Sequence, residues 1–369
     1  MRLIDRRGSA DLLRRKSHSR SIFLYNGKGE TSLPRRRDTF AARRKFSFGG
    51  IFMSTVKAGK IVLIGAGHVG SSILNSILRM NISDDIVVIN RNREKALGEV
   101  LDASHTTAFA YSANAEVRVG DYDECGDAQV IIITVGATVL PGEHDRTALL
   151  RANIDILSEV MERITTYTRS AILINVSNPT DILTYYLQRK FDYPKEKIMS
   201  TGTLLDTARF NKMLGDLLGV DAKNVTGFVL GEHGSTCFIP WNTVNIIGIP
   251  FTRFQASFAL SEPIDKEKLL SDVKSIGYRI VSLKGYTDAG VSLAACRILG
   301  AVMRNEKAVL PVSAVLSGEY GINDVAMSLP CVISKEGIDR ILTLDLDEQG
   351  TRDFGVCYEY LRGVLAGVM

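Results

Sequence analysis

The sequence is poor in several features that mark particular classes of protein. No apolar run approaches the roughly 20 residues that a membrane-spanning helix needs, so we expect no membrane contact. The five cysteines are scattered, without a Cys-x-x-Cys pair or metal-site spacing, which favours free thiols in a reducing cytoplasm and no bound metal. Histidine is equally scarce, with five residues among 369. The length suggests two domains.

Positive charge is concentrated at one end of the chain. Residues 1–52 contain 14 Lys and Arg against 4 Asp and Glu, whereas residues 53–369 contain 31 against 37. The basic residues lie among Ser, Gly and Thr without a helical or strand period, which is typical of a disordered extension. A nucleic-acid-binding arm and an organelle-targeting peptide are alternatives. We favour a leader that precedes a functional chain starting at Met53, and we expect no nucleic-acid partner.

After Met53, short apolar runs alternate with helical patterns. Strands are predicted at residues 60–64, 84–90, 128–136 and 170–179. Strands that alternate with helices indicate parallel βαβ units with right-handed crossovers. From about residue 205, longer helices and a hairpin-like stretch replace this alternation. We therefore predict an α/β fold, in which a doubly wound parallel sheet in residues 53–204 is followed by an α+β substrate-binding, catalytic domain in residues 205–369.

The motif GAGHVG directly follows the first predicted strand and directly precedes a helix. Gly65 allows the tight turn, Gly67 lets backbone amides approach a pyrophosphate, and Gly70 allows close contact between helix and strand. A tight turn that binds nothing is the alternative interpretation. In this setting the motif predicts a Rossmann domain that binds NAD.

The acidic residue that usually binds the adenosine ribose, about 20 residues after the glycine motif, is absent. The second predicted strand ends instead at Asn90, followed by Arg91. Asparagine can hydrogen-bond a ribose hydroxyl, but it does not repel a 2′-phosphate, and Arg91 would attract one. NADP therefore stays open beside NAD.

Four side chains offer the groups that reduction of a 2-keto acid requires. Arg209 supplies two parallel donors for the substrate carboxylate. His233, in a glycine-bracketed bend, is the type of residue that can protonate the developing alkoxide near neutral pH. Asp206, three residues before Arg209 on one helical face, offers the carboxylate that orients the imidazolium. Arg146, on a segment flanked by Pro and Gly, would polarise the carbonyl as part of a closing lid.

Each of these signals has a plainer explanation when it is taken alone. Asp206 and Arg209 would then be a helix-surface ion pair, His233 a structural histidine and Arg146 a solvated cation. The case for a catalytic site therefore depends on their combination.

Together, the motifs resemble those of the L-lactate/malate dehydrogenase family, and most closely its L-2-hydroxyisocaproate (L-2-hydroxycarboxylate) dehydrogenase branch. The matching stretches span roughly residues 60–365 in the same order and spacing. They include IGAGHVG, NREKALGEVLDASH, VGATVLPGEHDRTALLRANIDI, NVSNPTDILTYY, STGTLLDTARF, VLGEHGSTCFIPW and LKGYTDAGVSL.

The resemblance implies a role for each residue. His233, paired with Asp206, would donate and accept the proton, Arg209 would bind the substrate carboxylate, and Arg146 would polarise the carbonyl. The other expected substrate contacts are Asn178, Val139 and Thr287. The expected dinucleotide contacts are Gly65, Gly67, Val69, Gly70, Asn90, Lys95, Gly136, Ala137, Val176 and Asn178. The family analogy also implies a homodimer or homotetramer.

The chain departs from the family pattern in the substrate pocket. Malate-specific members carry an arginine, and lactate enzymes usually a glutamine, where this chain has Val139. A second substrate carboxylate against Val139 would be desolvated and unpaired, whereas each buried CH₂ gains about 0.8 kcal/mol. Ala289 stands where a bulky residue is common. We therefore predict an NAD-dependent L-2-hydroxyacid dehydrogenase of the L-lactate/L-2-hydroxyisocaproate type; an ordinary L-lactate dehydrogenase and a catalytically silent nucleotide-binding sensor are the alternatives.

Overall fold

The computed structural model describes residues 59–137 and 146–369, except for the side chains of residues 146–148. A nine-stranded sheet runs through this part of the chain. The basic segment of residues 1–52 lies outside the described residues, so the extension remains a prediction. Within the described residues, no helix is long and apolar enough to cross a bilayer. No group of three or more His, Cys, Asp or Glu side chains there is placed to hold a metal ion.

Six parallel strands form the first part of this sheet, in the order β3-β2-β1-β4-β5-β6. They are β1 (Ile61–Ile64), β2 (Asp85–Ile89), β3 (Glu116–Val119), β4 (Val130–Ile133), β5 (Ile172–Asn175) and β6 (Ile198–Ser200). The helices of this half are α1 (His68–Arg79), α2 (Arg93–His105), α3 (Arg146–Tyr167) and α4 (Thr180–Phe191). Strand order reverses between β1 and β4, which is where such sheets bind ligands, at the carboxyl ends of their strands.

Both faces of the parallel strands are buried, which explains their continuous apolar sequences. Val62 and Ile64 of β1 pack in a core that includes residues of α3 and α4. Ile61 and Leu63 pack on the other face, against residues of α1 and α2. The apolar runs thus form the centre of the sheet, because alternate side chains along each strand pack into hydrophobic cores on opposite faces.

The second half of the chain adds helices, three short strands and three longer antiparallel strands. These are α5 (Leu204–Leu218), β7 (Val225–Thr226), β8 (Asn245–Ile246), β9 (Ile249–Pro250), α6 (Phe254–Ser257), α7 (Lys266–Lys284), α8 (Ala289–Met303), β10 (Ala308–Ser317), β11 (Asn323–Ser334), β12 (Gly337–Ile341) and α9 (Glu348–Leu365). Strand β10 pairs with β6 at Ser313 and Ser200, so β10, β11 and β12 continue the same sheet. A separate core around Phe210 and Val273 joins α5 and α7 to the small sheet of β7, β8 and β9.

Candidate active site

The glycine loop joins the end of β1 to α1 and is held by its neighbours. The Gly65 N–H donates to the Ile89 carbonyl of β2 at 2.8 Å. Gly65 has a φ of +111°, and a Cβ there would lie 2.5 Å from Thr134 Oγ1. A Cβ at Gly70 would overlap the Gly65 carbonyl oxygen. Packing and backbone conformation therefore require glycine at both positions.

Gly67 has a different environment, because a Cβ there would meet no atom within 4 Å. It is the N-cap of α1, and no side chain caps this helix end. Open space beside the first-turn N–H groups of a helix suits a phosphate group. Val69, two residues further on, is half-buried against the core of this sheet face. The loop thus fits a dinucleotide pyrophosphate at Gly67.

Asn90 ties the glycine loop to the turn between β2 and α2. Its Oδ1 accepts from the Ala66 N–H at 3.2 Å, and its Nδ2 donates to the Asn92 carbonyl at 2.9 Å. Arg91 and Lys95 are exposed beside it. The Asn90 amide is therefore already engaged with backbone groups, and exposed cations surround the position expected to meet the adenosine ribose.

The loops after β4 and β5 are joined by Asn153 of α3, a residue with no role predicted from the sequence. Its Oδ1 accepts from the Ala137 N–H at 2.6 Å, and its Nδ2 donates to the Asn178 carbonyl at 2.7 Å. Asn153 is buried, whereas the Asn178 side chain is exposed. The only signal in the sequence was an amide at a buried position of an amphipathic helix. Gly136 and Val176 lie in the same two segments, next to Ala137 and before Asn178.

Three of the four predicted catalytic side chains meet at one carboxylate. His233 Nδ1 lies 2.6 Å from Asp206 Oδ2, and Arg209 Nη1 donates to Asp206 Oδ1 at 3.0 Å. Asp206 is almost buried, with 7% of its side chain exposed, whereas Arg209 is 16% and His233 26% exposed. The imidazole and the guanidinium thus share one almost buried carboxylate as their partner, and each keeps some atoms exposed to solvent.

The charges in this cluster set its protonation. Burial acts to lower the pKa of His233, but the charge and hydrogen bond of Asp206, followed by the charge of Asp181, outweigh it and raise that pKa to about 9. Burial acts to raise the pKa of Asp206, but His233 and Arg209 hold it below its ordinary value. At neutral pH the histidine is therefore protonated and its partner ionised, as a proton donor requires.

The bend that carries His233 is anchored on both sides. Gly231 exchanges backbone hydrogen bonds with Ser328 of β11 at 3.0 and 2.9 Å, and Leu230 does so with Phe238 at 2.8 and 3.0 Å. Gly231 has a φ of +90°, which disfavours other residues. The predicted hairpin-like stretch therefore pairs with itself, and its hydrogen bonds to β11 fix His233 to the nine-stranded sheet.

A chain of contacts links the expected cofactor-binding edge of the sheet to this cluster. The Asn178 carbonyl is held by Asn153, and α4 starts two residues later. Asp181, in the first turn of α4, accepts a hydrogen bond from the His233 N–H at 2.7 Å. The glycine loop also touches the predicted substrate segment, because His68 stacks on Tyr286, beside Thr287, with ring centroids 4.0 Å apart. Thr287 itself is half-buried.

Two predicted residues lie outside the described part of the site. Val139 belongs to the undescribed segment of residues 138–145. Arg146 is the first residue of α3, but its side chain is not described. Their roles in substrate selection and carbonyl polarisation remain predictions.

Comparison with known proteins agrees with this arrangement. Residues 59–200 match the family model of the lactate/malate dehydrogenase NAD-binding domain, and residues 203–368 match that of the lactate/malate dehydrogenase alpha/beta C-terminal domain. L-lactate dehydrogenase 2 of Clostridium acetobutylicum is 46% identical over 86% of this chain and 99% of its own length. L-lactate dehydrogenase of Selenomonas ruminantium is 40% identical over 84% of this chain and 97% of its own.

Among solved structures, the minor L-lactate dehydrogenase of Enterococcus mundtii superimposes with a TM-score of 0.80 at 34% identity, covering 85% of this chain and 99% of that one. These matches confirm the predicted family and the predicted fold class, a Rossmann NAD-binding domain followed by a second domain of mixed helices and strands, which the family model describes as alpha/beta. The chain belongs to the lactate/malate dehydrogenase family.

Proposed function

We propose that this protein is an NAD-dependent L-2-hydroxyacid dehydrogenase that interconverts L-2-hydroxy acids and 2-keto acids. The observation that carries the proposal is the Asp206 carboxylate, which binds the His233 imidazole with one oxygen and the Arg209 guanidinium with the other. A proton donor and a carboxylate-binding cation are thereby held side by side, as a small molecule with a carbonyl next to a carboxylate requires.

The proposed mechanism assigns one task to each side chain. When bound, the nicotinamide ring of the cofactor supplies or accepts the hydride. Arg209 pairs with the substrate carboxylate through parallel hydrogen bonds and so places the carbonyl oxygen near His233. Protonated His233 gives its Nε2 proton to that oxygen during reduction, and in the reverse direction the neutral ring takes the proton from the hydroxyl group. Asp206 remains ionised and fixes the ring through Nδ1.

NAD is the cofactor that we propose, with NADP as the alternative that the ribose end of the site leaves open. The open space at Gly67 and the uncapped start of α1 suit the pyrophosphate of either cofactor. Exposed Arg91 would favour a 2′-phosphate, and Asn90 would not repel it. The two reduced cofactors must therefore be compared directly.

The proposed substrates are 2-keto acids with apolar side chains, from pyruvate to branched chains such as 2-oxoisocaproate. Val139 and Ala289 favour such substrates because the first is apolar and the second is small. Gly277 adds a structural reason. Gly277 lies inside α7, where glycine costs about 1 kcal/mol relative to alanine. A Cβ there would have Arg209 Nη2, 3.5 Å away, as its nearest neighbour, so packing does not require glycine. We attribute the glycine to space for the substrate beside the guanidinium.

Gly277→Ala tests this attribution. The added methyl should stabilise α7 by up to about 1 kcal/mol, because it removes the cost of a helical glycine. Crowding of the larger substrate by about 1–3 kcal/mol should lower kcat/KM for 2-oxoisocaproate by roughly 5- to 150-fold, with a smaller effect on pyruvate. Thermal unfolding and steady-state kinetics measure the two effects.

Gly355→Ala is the matched control, because Gly355 lies inside α9 and a Cβ there would meet no atom within 4 Å. It should gain stability without a change in substrate preference. Equal losses on both substrates in Gly277→Ala would contradict a role for Gly277 in pocket size.

We also propose that the protein is a homodimer or homotetramer with a cytoplasmic location. Helix α2 exposes Leu97 and Leu101 on one face, one turn apart. Apolar faces of this kind on surface helices are typical of contacts between subunits. A second copy of this chain is the proposed occupant, in line with the family analogy.

A rate panel tests the proposed function. Pyruvate, 2-oxoisocaproate, phenylpyruvate and oxaloacetate would each be assayed with NADH and NADPH by the loss of cofactor absorbance. We expect turnover of the monocarboxylates with NADH and little or none of oxaloacetate. Cofactor binding without turnover of any of the four would favour the nucleotide-binding sensor instead.

A further inference from the structure

A second buried carboxylate lies behind the proposed proton donor, on an element outside the proposed mechanism. Asp181 is the second residue of α4 and is only 2% exposed. Its Oδ2 accepts the His233 N–H at 2.7 Å, so it binds the main chain of the residue whose ring Asp206 binds. Two carboxylates from different helices therefore hold one histidine.

A carboxylate is a costly way to accept one backbone hydrogen bond at a buried position. Burial raises the pKa of Asp181 to about 6, although the Ser313 side chain, the hydrogen bond from the His233 N–H and the charge of the His233 ring oppose that rise. A neutral acceptor would bind the same N–H without placing a charge in the interior. The charge itself is therefore the feature that needs an explanation.

The other charged and titratable groups around His233 do not replace that charge. Asp206 divides its charge between the imidazole and Arg209, both on the same carboxylate. Glu232, in the same bend, turns its carboxylate to the Thr236 N–H and hydroxyl at 2.9 and 2.8 Å. Cys357 of α9 remains a neutral thiol, because burial raises its pKa to about 11. Asp181 is the second carboxylate whose charge acts on the ring.

We propose that Asp181 is a positioning residue for the reaction, whose carboxylate fixes the main chain of His233 and whose negative charge stabilises the imidazolium. The proposal rests on the proposed role of His233 as proton donor. Asp206 orients the ring, but Arg209 offsets part of the negative charge of Asp206. Asp181 supplies the further negative charge that balances the imidazolium. When the substrate carboxylate engages Arg209, both histidine contacts remain in place.

Asp181→Asn separates the two parts of this role. Asparagine keeps an oxygen for the His233 N–H and nearly the same volume, but it carries no charge. Reduction of the 2-keto acid needs the protonated ring, so kcat falls as the pH rises through the pKa of His233. Loss of a nearby opposite charge should move the midpoint of that fall down by about one pH unit, with kcat at the acidic plateau within a few-fold of wild type.

The experiment is a pH profile of kcat for the purified full chain at saturating NADH and keto acid. Asp102→Asn is the control, because Asp102 is exposed on α2 and its replacement makes the same chemical change outside the site. Its midpoint should equal that of wild type. If Asp181→Asn does not fold, Asp181→Ser removes the charge with a smaller side chain and takes its place.

Two results would overturn the proposal. One is an unchanged midpoint with unchanged kcat, and the other is a kcat reduced equally at every pH, which would leave Asp181 a purely structural role. Both results presuppose an active wild type. A wild type that reduces no 2-keto acid would instead defeat the proposed function itself.

Discussion

His233→Ala is expected to lower kcat for 2-keto acid reduction by at least about 10²-fold while leaving the Kd for NADH near the wild-type value. The reason is that the ring is the only proton donor in the cluster formed with Asp206 and Arg209. The alanine variant keeps the carboxylate-binding guanidinium, so the substrate should still bind. The main-chain N–H of residue 233 donates to Asp181, so the main chain should keep its conformation in the variant.

Stopped-flow or steady-state rates with NADH fluorescence titrations would separate turnover from binding. His105→Ala is the control, because His105 is an exposed histidine at the end of α2 and should be replaceable without effect. Turnover of His233→Ala close to the wild-type rate would remove His233 from the mechanism.

Arg209→Lys is expected to raise KM for the keto acid by roughly 10- to 100-fold. A lysine keeps the positive charge but not the planar pair of donors, and a hydrogen bond to a charged group contributes about 1.5–3 kcal/mol. The Asp206 carboxylate also loses its 3.0 Å contact with Nη1, so a smaller fall in kcat should accompany the change. The Kd for NADH should not change.

Lys212→Arg provides the control on the same helix, since Lys212 is exposed and pairs with Asp216 one turn away. It should leave KM unaltered. An Arg209→Lys enzyme with normal KM would show that another cation binds the substrate carboxylate.

The parallel half of the fold was readable from the sequence because its strands are buried on both faces. Strands β3 and β6 were missed, since Glu116–Val119 is only partly buried and alternates charged with apolar residues, and Ile198–Ser200 is buried but only three residues long. Two predicted strands extended past Ile133 and Asn175, where residues such as Val176 are still buried although the ladder has ended. An apolar composition indicates that residues are buried, but it does not indicate where the hydrogen-bonded pairing of a strand ends.

The continuation of the sheet into the second half could not be read from the sequence. It depends on the pairing of Ser200 with Ser313, more than a hundred residues apart. Neither serine belongs to a pattern that predicts a partner. Local periodicity specifies the strands but not which distant strand completes the sheet.

The candidate site was predictable to the extent that it follows local spacing. Asp206 and Arg209 share a helical face, and that spacing predicted their ion pair. The contact of His233 with Asp206 was expected from the chemistry of 2-keto acid reduction and from the family resemblance, because no local pattern joins residues 27 positions apart. Asn153 and Asp181 were missed, since their contacts depend on how α3 and α4 pack against loops far along the chain.

Transfer of deuterium to pyruvate from NADH that carries deuterium at both positions of nicotinamide C4 tests the central claim most directly. The account predicts that the wild-type enzyme forms L-lactate with one deuterium at the carbon that bore the carbonyl, and that His233→Ala forms it at least about 10²-fold more slowly. Unlabelled product, D-lactate, or labelled L-lactate formed equally fast by His233→Ala would contradict it.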